Sequence, residues 1–190
     1  MEIAITLEAP SLEALPQYAE ALRRGWSPNR AGGDDMAREQ LEAIEKDPAA
    51  FVARQVDPDA KGPPVKLPDG TLVPRLPGYV LWIWDGAFSG IIGLRWQRGS
   101  DELPAHVLGH IGYSVVPWKR DRGYARRALA LMLERARGEG LGSVQLTTDP
   151  DNVASQRVIE ANGGVLVERF TKTAHYGGTP GLRYRIALAR

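Results

Sequence analysis

The sequence predicts an α/β protein in which a mixed, mainly antiparallel central sheet carries helices on both faces. Two apolar runs in residues 79–97 meet at Asp85-Gly86, a dipeptide typical of a two-residue hairpin turn. A strand–helix–strand pattern then fills residues 106–148, and two alternating runs close the chain. A hairpin followed by a strand–helix–strand step requires both antiparallel and parallel neighbours, and therefore a mixed sheet.

The N-terminal part of the chain is predicted to consist of helices and loops. Apolar residues at helical spacing predict a helix with Ser11 as its N-cap and Gly25 as its end. A second helix, or a broken pair of helices, is expected over residues 34–55, with the interruption near Pro48. Residues 56–78 are rich in proline, glycine and aspartate, which favours an exposed connector.

The rest of the chain holds the predicted sheet. After the hairpin, the pattern predicts a strand over 106–116, a helix over 125–140, a strand over 142–148, a helix over 152–164, and strands over 165–170 and 182–188. The step through residues 111–148 is expected to be a right-handed parallel crossover. A length of 190 residues fits a single domain.

Composition excludes several classes of function. Lysine and arginine number 24 against 23 acidic residues, so the net charge of +1 gives no bias toward nucleic acid or membrane surfaces. The chain has no cysteine, which removes disulfides, a thiolate nucleophile and cysteine metal sites. No histidine and carboxylate cluster has metal-ligand spacing, so no metal is expected. Neither a secretory signal nor a membrane span is apparent, and a cytoplasmic location is the default expectation.

A basic loop between a predicted strand and a predicted helix is the main candidate for binding. Its cations are Lys119, Arg120, Arg122 and Arg126. A helix N-terminus presents unpaired amides and the positive end of the helix dipole, and both favour a phosphate. Gly123 allows a close approach of the backbone, and Ala125 adds little bulk. A solvated basic turn explains the spacing equally well.

Two sequence blocks resemble the general-control-related N-acetyltransferase (GNAT) superfamily. RDRGYA, residues 120–125, is similar to the Q/R-x-x-G-x-G/A signature with which these proteins bind acetyl-CoA. Residues 152–164 resemble their second block, and the closest likeness is to bacterial predicted acetyltransferases with an N-x-A-S-x-x-V-I-E-x-N-G-G segment. The resemblance covers residues 79–188, and it is most specific over residues 110–167.

The resemblance implies a central strand that splays away from its neighbour and an acetyl-CoA site in the splay. Residues 1–78 would form the substrate side, and residues 79–190 the sheet and the acetyl-CoA-binding core. The cofactor-binding residues implied are Tyr113, Ser114, Val115, Arg120, Asp121, Arg122, Gly123, Tyr124, Ala125, Arg126 and Asn152. Asn152 is equally suited to be the N-cap of the following helix.

The resemblance also points to two catalytic candidates. His110 stands where related enzymes carry a glutamate, and an imidazole with a pKa of about 6.5 could accept the proton of an amine. Packing at the sheet surface is the alternative for His110, and Asp149 is a lesser candidate for the base. The tyrosine that the family uses as general acid is absent, because that position is Ile159. Ser155 is the candidate donor to the leaving sulfur. The other residues able to approach are Tyr113, Tyr176 and Tyr184.

The predicted activity is an acetyl-CoA-dependent N-acetyltransferase that moves the acetyl group directly to a primary amine in a ternary complex. A non-catalytic acyl-CoA-binding or sensing module is the alternative. The expected partner is a small-molecule or peptide amine, without nucleic acid or membrane, and a homodimer is left open. Trp26 and Trp118 are candidates for the wall of the acceptor pocket.

Overall fold

The computed structural model describes residues 4–29, 33–67 and 70–188, and excludes the side chain of His175. The helices are α1 (Leu15–Arg23), α2 (Gly33–Lys46), α3 (Pro48–Ala53), α4 (Tyr124–Gly138) and α5 (Val153–Glu160). The strands are β1 (Thr6–Glu8), β2 (Val56–Asp57), β3 (Val65–Lys66), β4 (Leu72–Val73), β5 (Gly78–Trp84), β6 (Phe88–Arg95), β7 (Ile111–Val115), β8 (Ser143–Thr148), β9 (Val165–Thr171) and β10 (Pro180–Ala187).

The strands form two main sheets and one small hairpin. The larger sheet has the order β1-β5-β6-β7, with β2 also paired to β5, and the second has the order β8-β10-β9. Every pair in both sheets is antiparallel. β3 and β4 pair only with each other. The α/β architecture is confirmed, but β7 and β8 lie in different sheets, so the expected parallel pairing of these two strands is wrong.

The larger sheet is buried on both faces because its strands alternate between two apolar cores. Ile83, Ile92 and Leu94 pack against α4, in a core that also includes residues of the second sheet. Trp82 and its neighbours face the opposite way, toward α1, α2 and α3. There Tyr18 stacks on Trp82 with ring centroids 5.2 Å apart. Helices therefore cover both faces of this sheet, as predicted.

Local signals in the sequence explain most of the element boundaries. The β5–β6 hairpin turns at Asp85-Gly86, where Gly86 has a φ of 98°. The second helix is a broken pair, because Pro48 begins α3 and Asp47 caps it by accepting a hydrogen bond from the Ala50 amide at 2.9 Å. The broken pair of helices is confirmed. The hairpin is confirmed in place, but Trp84 pairs with Phe88, so its loop has three residues and not two.

Two predicted boundaries are wrong, and one strand was missed. The N-cap of α1 is Ala14, and Ser11 instead accepts a hydrogen bond from the Ala14 amide in the turn before the helix. The strand expected over 106–116 spans only Ile111–Val115. β1 was not predicted, because three residues are too few to show an alternating pattern.

Candidate functional site

The seam between β7 and β8 is closed at one end only. At the closed end, the His110 amide donates to the Gln145 carbonyl at 2.7 Å, and the Gln145 amide donates to Nδ1 of His110 at 3.0 Å. The imidazole thus takes the place that a backbone carbonyl would hold in a sheet ladder. Beyond this pair β7 and β8 belong to different sheets. The result is a gap that opens along β7 away from His110.

Backbone groups of β7 line this gap. The Val116 amide donates to the Ser89 carbonyl at 3.1 Å, and a Cβ on Gly90 would lie 2.2 Å from the Ser114 carbonyl oxygen, so both groups face β6. Successive residues of a strand direct their backbone groups to opposite edges. Tyr113 and Val115 therefore direct theirs into the gap.

Ser114, in contrast, is engaged on the other side of the strand. Its hydroxyl accepts a hydrogen bond from Nε1 of Trp26 at 2.9 Å and donates to the Ser27 carbonyl at 2.9 Å. Trp26 is only 1% exposed. The indole is thus a core residue that holds the loop after α1 against β7, and it is not part of an accessible pocket wall.

The wide end of the gap meets the N-terminus of α4. Gly123 is the N-cap of α4 with a φ of 84°, and Asp121 has a φ of 58°. The Arg127 amide makes the first hydrogen bond of the helix, to the Gly123 carbonyl at 3.0 Å. The amides of residues 124–126 precede that bond and have no partner within the helix. This turn therefore presents amides and the positive end of a dipole to the gap.

Arg120 connects this turn to β7. Its Nε donates to the Val115 carbonyl at 3.1 Å, which fixes the guanidinium at the mouth of the gap. The positive charge of this guanidinium lies beside the N-terminus of α4. The guanidinium and the helix amides therefore both attract an anion. A ligand that uses the Val115 carbonyl would displace this hydrogen bond.

Asp85 fastens the same turn to the β5–β6 hairpin. Its carboxylate accepts hydrogen bonds from Lys119, Tyr124, Ser89 and the Ala87 amide. Partial burial opposes ionisation of Asp85, but hydrogen bonds from Lys119 and Tyr124 outweigh it and bring its pKa down to about 2. Lys119 and the Tyr124 hydroxyl therefore have structural partners, although both residues also border the gap.

The facing wall of the gap belongs to α5. Asn152 caps this helix by accepting a hydrogen bond from the Ser155 amide at 3.2 Å, which leaves its amide nitrogen for another acceptor. The Ser155 hydroxyl lies 2.9 Å from the Tyr113 hydroxyl across the gap. Burial raises the pKa of Tyr113 to about 12, so its phenol keeps its proton at neutral pH. The predicted N-cap role of Asn152 is confirmed.

The gap is a cleft of about 830 Å³. Most of the residues predicted for the cofactor line it, together with Ser155. Those residues are Tyr113, Ser114, Val115, Arg120, Asp121, Gly123, Tyr124, Ala125, Arg126 and Asn152. Arg122 is not among the lining residues. Gly25 and Ser27 also line the cleft, and no local signal in the sequence could have placed them there, because they arrive through the packing of α1.

His110 lies at the closed end of the seam and is completely buried. Burial lowers the pKa of His110 to about 4, so the imidazole is neutral at pH 7. Since Nδ1 accepts the Gln145 amide, the proton is assigned to Nε2, which has no hydrogen-bond partner among the described residues. An imidazole whose only lone pair is engaged is poorly placed to take a proton from an amine.

Among the described residues, no group of three or more histidine, aspartate or glutamate side chains could hold a metal ion. No helix in the described ranges combines the length and the apolar character needed to cross a membrane.

Comparisons with known proteins agree with this geometry. The family model described as "Acetyltransferase (GNAT) domain" matches residues 71–165. No curated protein sequence matches the chain. A solved acetyltransferase from Salmonella typhimurium, which modifies the N-terminal serine of a 50S ribosomal subunit protein, is 12% identical with a TM-score of 0.65 and coverage of 99% of this chain and 97% of that chain.

Two further solved structures have the same fold. A GnaT-family acetyltransferase from Bordetella pertussis is 17% identical, with a TM-score of 0.59 and coverage of 98% of both chains. The Microcin C7 self-immunity acetyltransferase, solved with acetyl-CoA and AMP, is 12% identical, with a TM-score of 0.57 and coverage of 98% of this chain and 93% of that chain.

Proposed function

The chain belongs to the GNAT acetyltransferase family, and on that premise we propose that it transfers an acetyl group from acetyl-CoA directly to a primary amine in a ternary complex. The observation that carries the proposal is the cleft between β7 and α5. It combines an amide-lined helix N-terminus at one end with backbone groups of β7 that face the gap and two hydroxyls along its length.

The chain's own groups fit the parts of acetyl-CoA. The amides at the start of α4, with Arg120 beside them, suit a diphosphate. The backbone groups of Tyr113 and Val115 suit the amides of a pantetheine arm, and the free amide nitrogen of Asn152 suits one of its carbonyls. Bound acetyl-CoA would supply a thioester carbonyl as the electrophile and a thiolate as the leaving group. Because the chain has no cysteine, no thiol is available to carry the acetyl group, which favours direct transfer.

Tyr113 and Ser155 are the groups proposed to assist departure of the thiolate. Their hydroxyls are hydrogen-bonded to each other at 2.9 Å. One hydroxyl can therefore donate its proton to the sulfur while it accepts a hydrogen bond from the other. A model thiol has a pKa of about 8.5, so its thiolate is a tolerable leaving group. A hydrogen-bond donor stabilises this thiolate without protonating it fully. This pair replaces the tyrosine that is absent at Ile159.

No base for the amine is evident among the residues that line the cleft. Asp121 is its one carboxylate, and it lies in the turn before α4. Asp149, a lesser candidate, is engaged by Lys172. We therefore propose that the amine reacts as its free base, after losing its proton to water. Since an alkylammonium has a pKa of about 10.4, kcat/KM should rise about tenfold per pH unit below that value.

The test is release of free CoA from acetyl-CoA in the presence of a panel of amines. The panel should contain amino acids, polyamines, an aminoglycoside, a lysine peptide and a peptide with N-terminal serine, by analogy with the Salmonella neighbour. Acceptor-dependent CoA release is the expected result. Tight binding of acetyl-CoA without turnover of any amine would overturn the proposal, and would favour the acyl-CoA-binding module instead.

A further inference from the structure

A second cavity, of about 370 Å³, lies against residues of β5 and β6. Its walls come from the end of α3, the β3–β4 hairpin and the loop between β9 and β10. Tyr176 closes one side, where its hydroxyl donates to the His106 carbonyl at 3.0 Å. These segments are far apart in the sequence, so only the fold brings them together.

The floor of this cavity includes Gly93 of β6, which has no side chain to cover the backbone. Gly93 pairs with Gly112 of β7, which lies next to the cavity wall and also has no side chain. Gly112 is exposed, and a Cβ built on it would meet only Nη2 of Arg95, at 3.9 Å. The next residue, Tyr113, lines the acetyl-CoA cleft. Gly112 therefore lies between Arg95, which lines this cavity, and Tyr113, which lines the acetyl-CoA cleft.

Positive charge without a counter-ion lines the cavity. Arg54 and Arg95 both border it, and neither guanidinium makes an ion pair or hydrogen bond within residues 4–29, 33–67 and 70–188. Arg95 is exposed to solvent, although desolvation by its neighbours lowers the pKa of its guanidinium. The group stays charged at neutral pH. A charge that is partly stripped of water favours an anionic partner.

The one described carboxylate in the cavity wall is already satisfied. Asp57 accepts hydrogen bonds from the Gly62 amide at 2.9 Å and the Lys61 amide at 2.8 Å, and Arg75 lies 3.8 Å away. The backbone hydrogen bonds from Gly62 and Lys61 and the charge of Arg75 hold the pKa of Asp57 below its usual value. Asp57 therefore neutralises Arg75 and leaves Arg54 and Arg95 without a partner among the described residues.

We propose that this cavity binds the acceptor, and that the acceptor carries a carboxylate or phosphate group held by Arg95 and Arg54 while its amine reaches over Gly112 to the thioester. This inference rests on the proposed acetyltransferase function and specifies the substrate class. Guanidinium groups bind both oxyanions through paired hydrogen bonds, so the shared chemistry is an anionic oxygen group. Polyamines and aminoglycosides, whose charged groups are all cationic, are disfavoured by the positive charges of Arg54 and Arg95.

The first experiment compares acceptors that differ in the anion, with kcat/KM expressed per concentration of free amine, because a nearby anion also raises the pKa of the ammonium group. Amino acids are paired with their amides, and phosphoethanolamine with ethanolamine, which separates the carboxylate from the phosphate. We expect kcat/KM to be at least tenfold higher for the charged member of one pair. Arg95→Gln and Arg54→Gln should reduce turnover of that member at least tenfold more than turnover of its neutral partner.

Arg98→Gln is the matched control, because Arg98 lies on the nearby surface, pairs with Asp59 at 3.2 Å and does not line the cavity. It should keep the wild-type preference. Normal turnover with no preference in either pair, or an equal loss of preference in Arg98→Gln, would overturn the inference while leaving the proposed function intact. Absence of turnover on every amine would instead count against the proposed function.

A measurement without turnover separates these outcomes further. Succinate and inorganic phosphate, which have no amine, should bind the protein in calorimetry, and Arg95→Gln should weaken that binding at least tenfold. Equal binding by wild type and Arg95→Gln would overturn the inference.

Gly112→Val tests the passage between the cavities. Gly112 lies in a strand, where valine is well tolerated, and the new side chain should block the amine without touching the acetyl-CoA cleft. Turnover should fall at least tenfold while acetyl-CoA affinity stays within twofold. Unchanged turnover in a folded Gly112→Val variant would show that the acceptor does not cross this point.

Discussion

The two ends of the β7–β8 seam are built by different means. At the closed end, the imidazole of His110 and the Gln145 backbone hold the strands together with two hydrogen bonds. At the open end, the backbone groups of Tyr113 and Val115 face a cleft, and hydroxyls and helix amides surround them. The difference shows that two strands can separate to admit a ligand if a side chain completes the last hydrogen-bonded pair before the gap.

The largest effect is expected from breaking the closed end. His110→Leu removes the acceptor of the Gln145 amide and leaves that amide unsatisfied, which should lower the free energy of unfolding by about 1–3 kcal/mol. His110→Asn keeps an acceptor oxygen at nearly the same place and should recover part of the loss. Urea unfolding of the three proteins at pH 7.5 checks this, and equal stabilities would contradict the role assigned to Nδ1.

The same residue predicts a pH dependence. The pKa of His110 is about 4 in the folded protein and about 6.5 when unfolded, so the unfolded chain binds a proton that the folded chain refuses. Stability should therefore fall as the pH drops from about 6.5 to 4, by up to about 3 kcal/mol. The difference between wild type and His110→Asn across that range isolates the contribution of His110. Parallel curves would mean that the imidazole titrates normally.

At the open end, Gly123→Val should weaken CoA binding at least tenfold, or about 1.4 kcal/mol. Valine is strained at a φ of 84° and would crowd the amides at the start of α4. Gly138→Val places the same side chain at the far end of the helix, where a Cβ meets nothing within 4 Å. Calorimetry on both variants measures the affinity for CoA. An equal loss of affinity in Gly138→Val would show that this turn does not bind the phosphates.

Tyr113→Phe should lower kcat about tenfold while the affinity for acetyl-CoA changes little, because the phenyl ring keeps its packing and loses only its hydrogen bond. Ser155→Ala should have a smaller effect in the same direction. Tyr184→Phe is the control, since the Tyr184 hydroxyl is bonded to Glu160 outside the cleft. A wild-type kcat in Tyr113→Phe would show that the Tyr113 hydroxyl does not assist departure of the thiolate.

The smallest effect is expected from the support behind the open end. Asp85→Asn weakens the hydrogen bonds from Lys119 and Tyr124, and should cost about 1 kcal/mol of stability at pH 7. Because the pKa of Asp85 is lowered to about 2, its stabilising contribution should be complete above pH 4 and decline as the pH falls toward 2. Asp59→Asn, in an exposed ion pair, should change unfolding much less.

The sequence predicted the parts of the site that lie close together along the chain. The turn before α4 and the N-terminus of α5 each depend on a few adjacent residues, so Gly123 and Asn152 could be placed before the structure was known. Arg122 was included with its neighbours, but a contiguous motif does not say which of its side chains face the cleft. His110 was assigned by position within a strand, and its burial depends on how two sheets meet.

The sequence by itself determined the mixed α/β class, the hairpin at Asp85-Gly86 and the broken helix at Pro48, because turn chemistry and the period of apolar residues act over a few residues. Only the tertiary structure decided where the seam closes, which hydroxyl meets Ser155, and that Arg54 and Arg95 share a cavity. Those contacts join residues 35 or more positions apart. Their geometry follows from the packing of the two sheets and the helices around them, which no local pattern encodes.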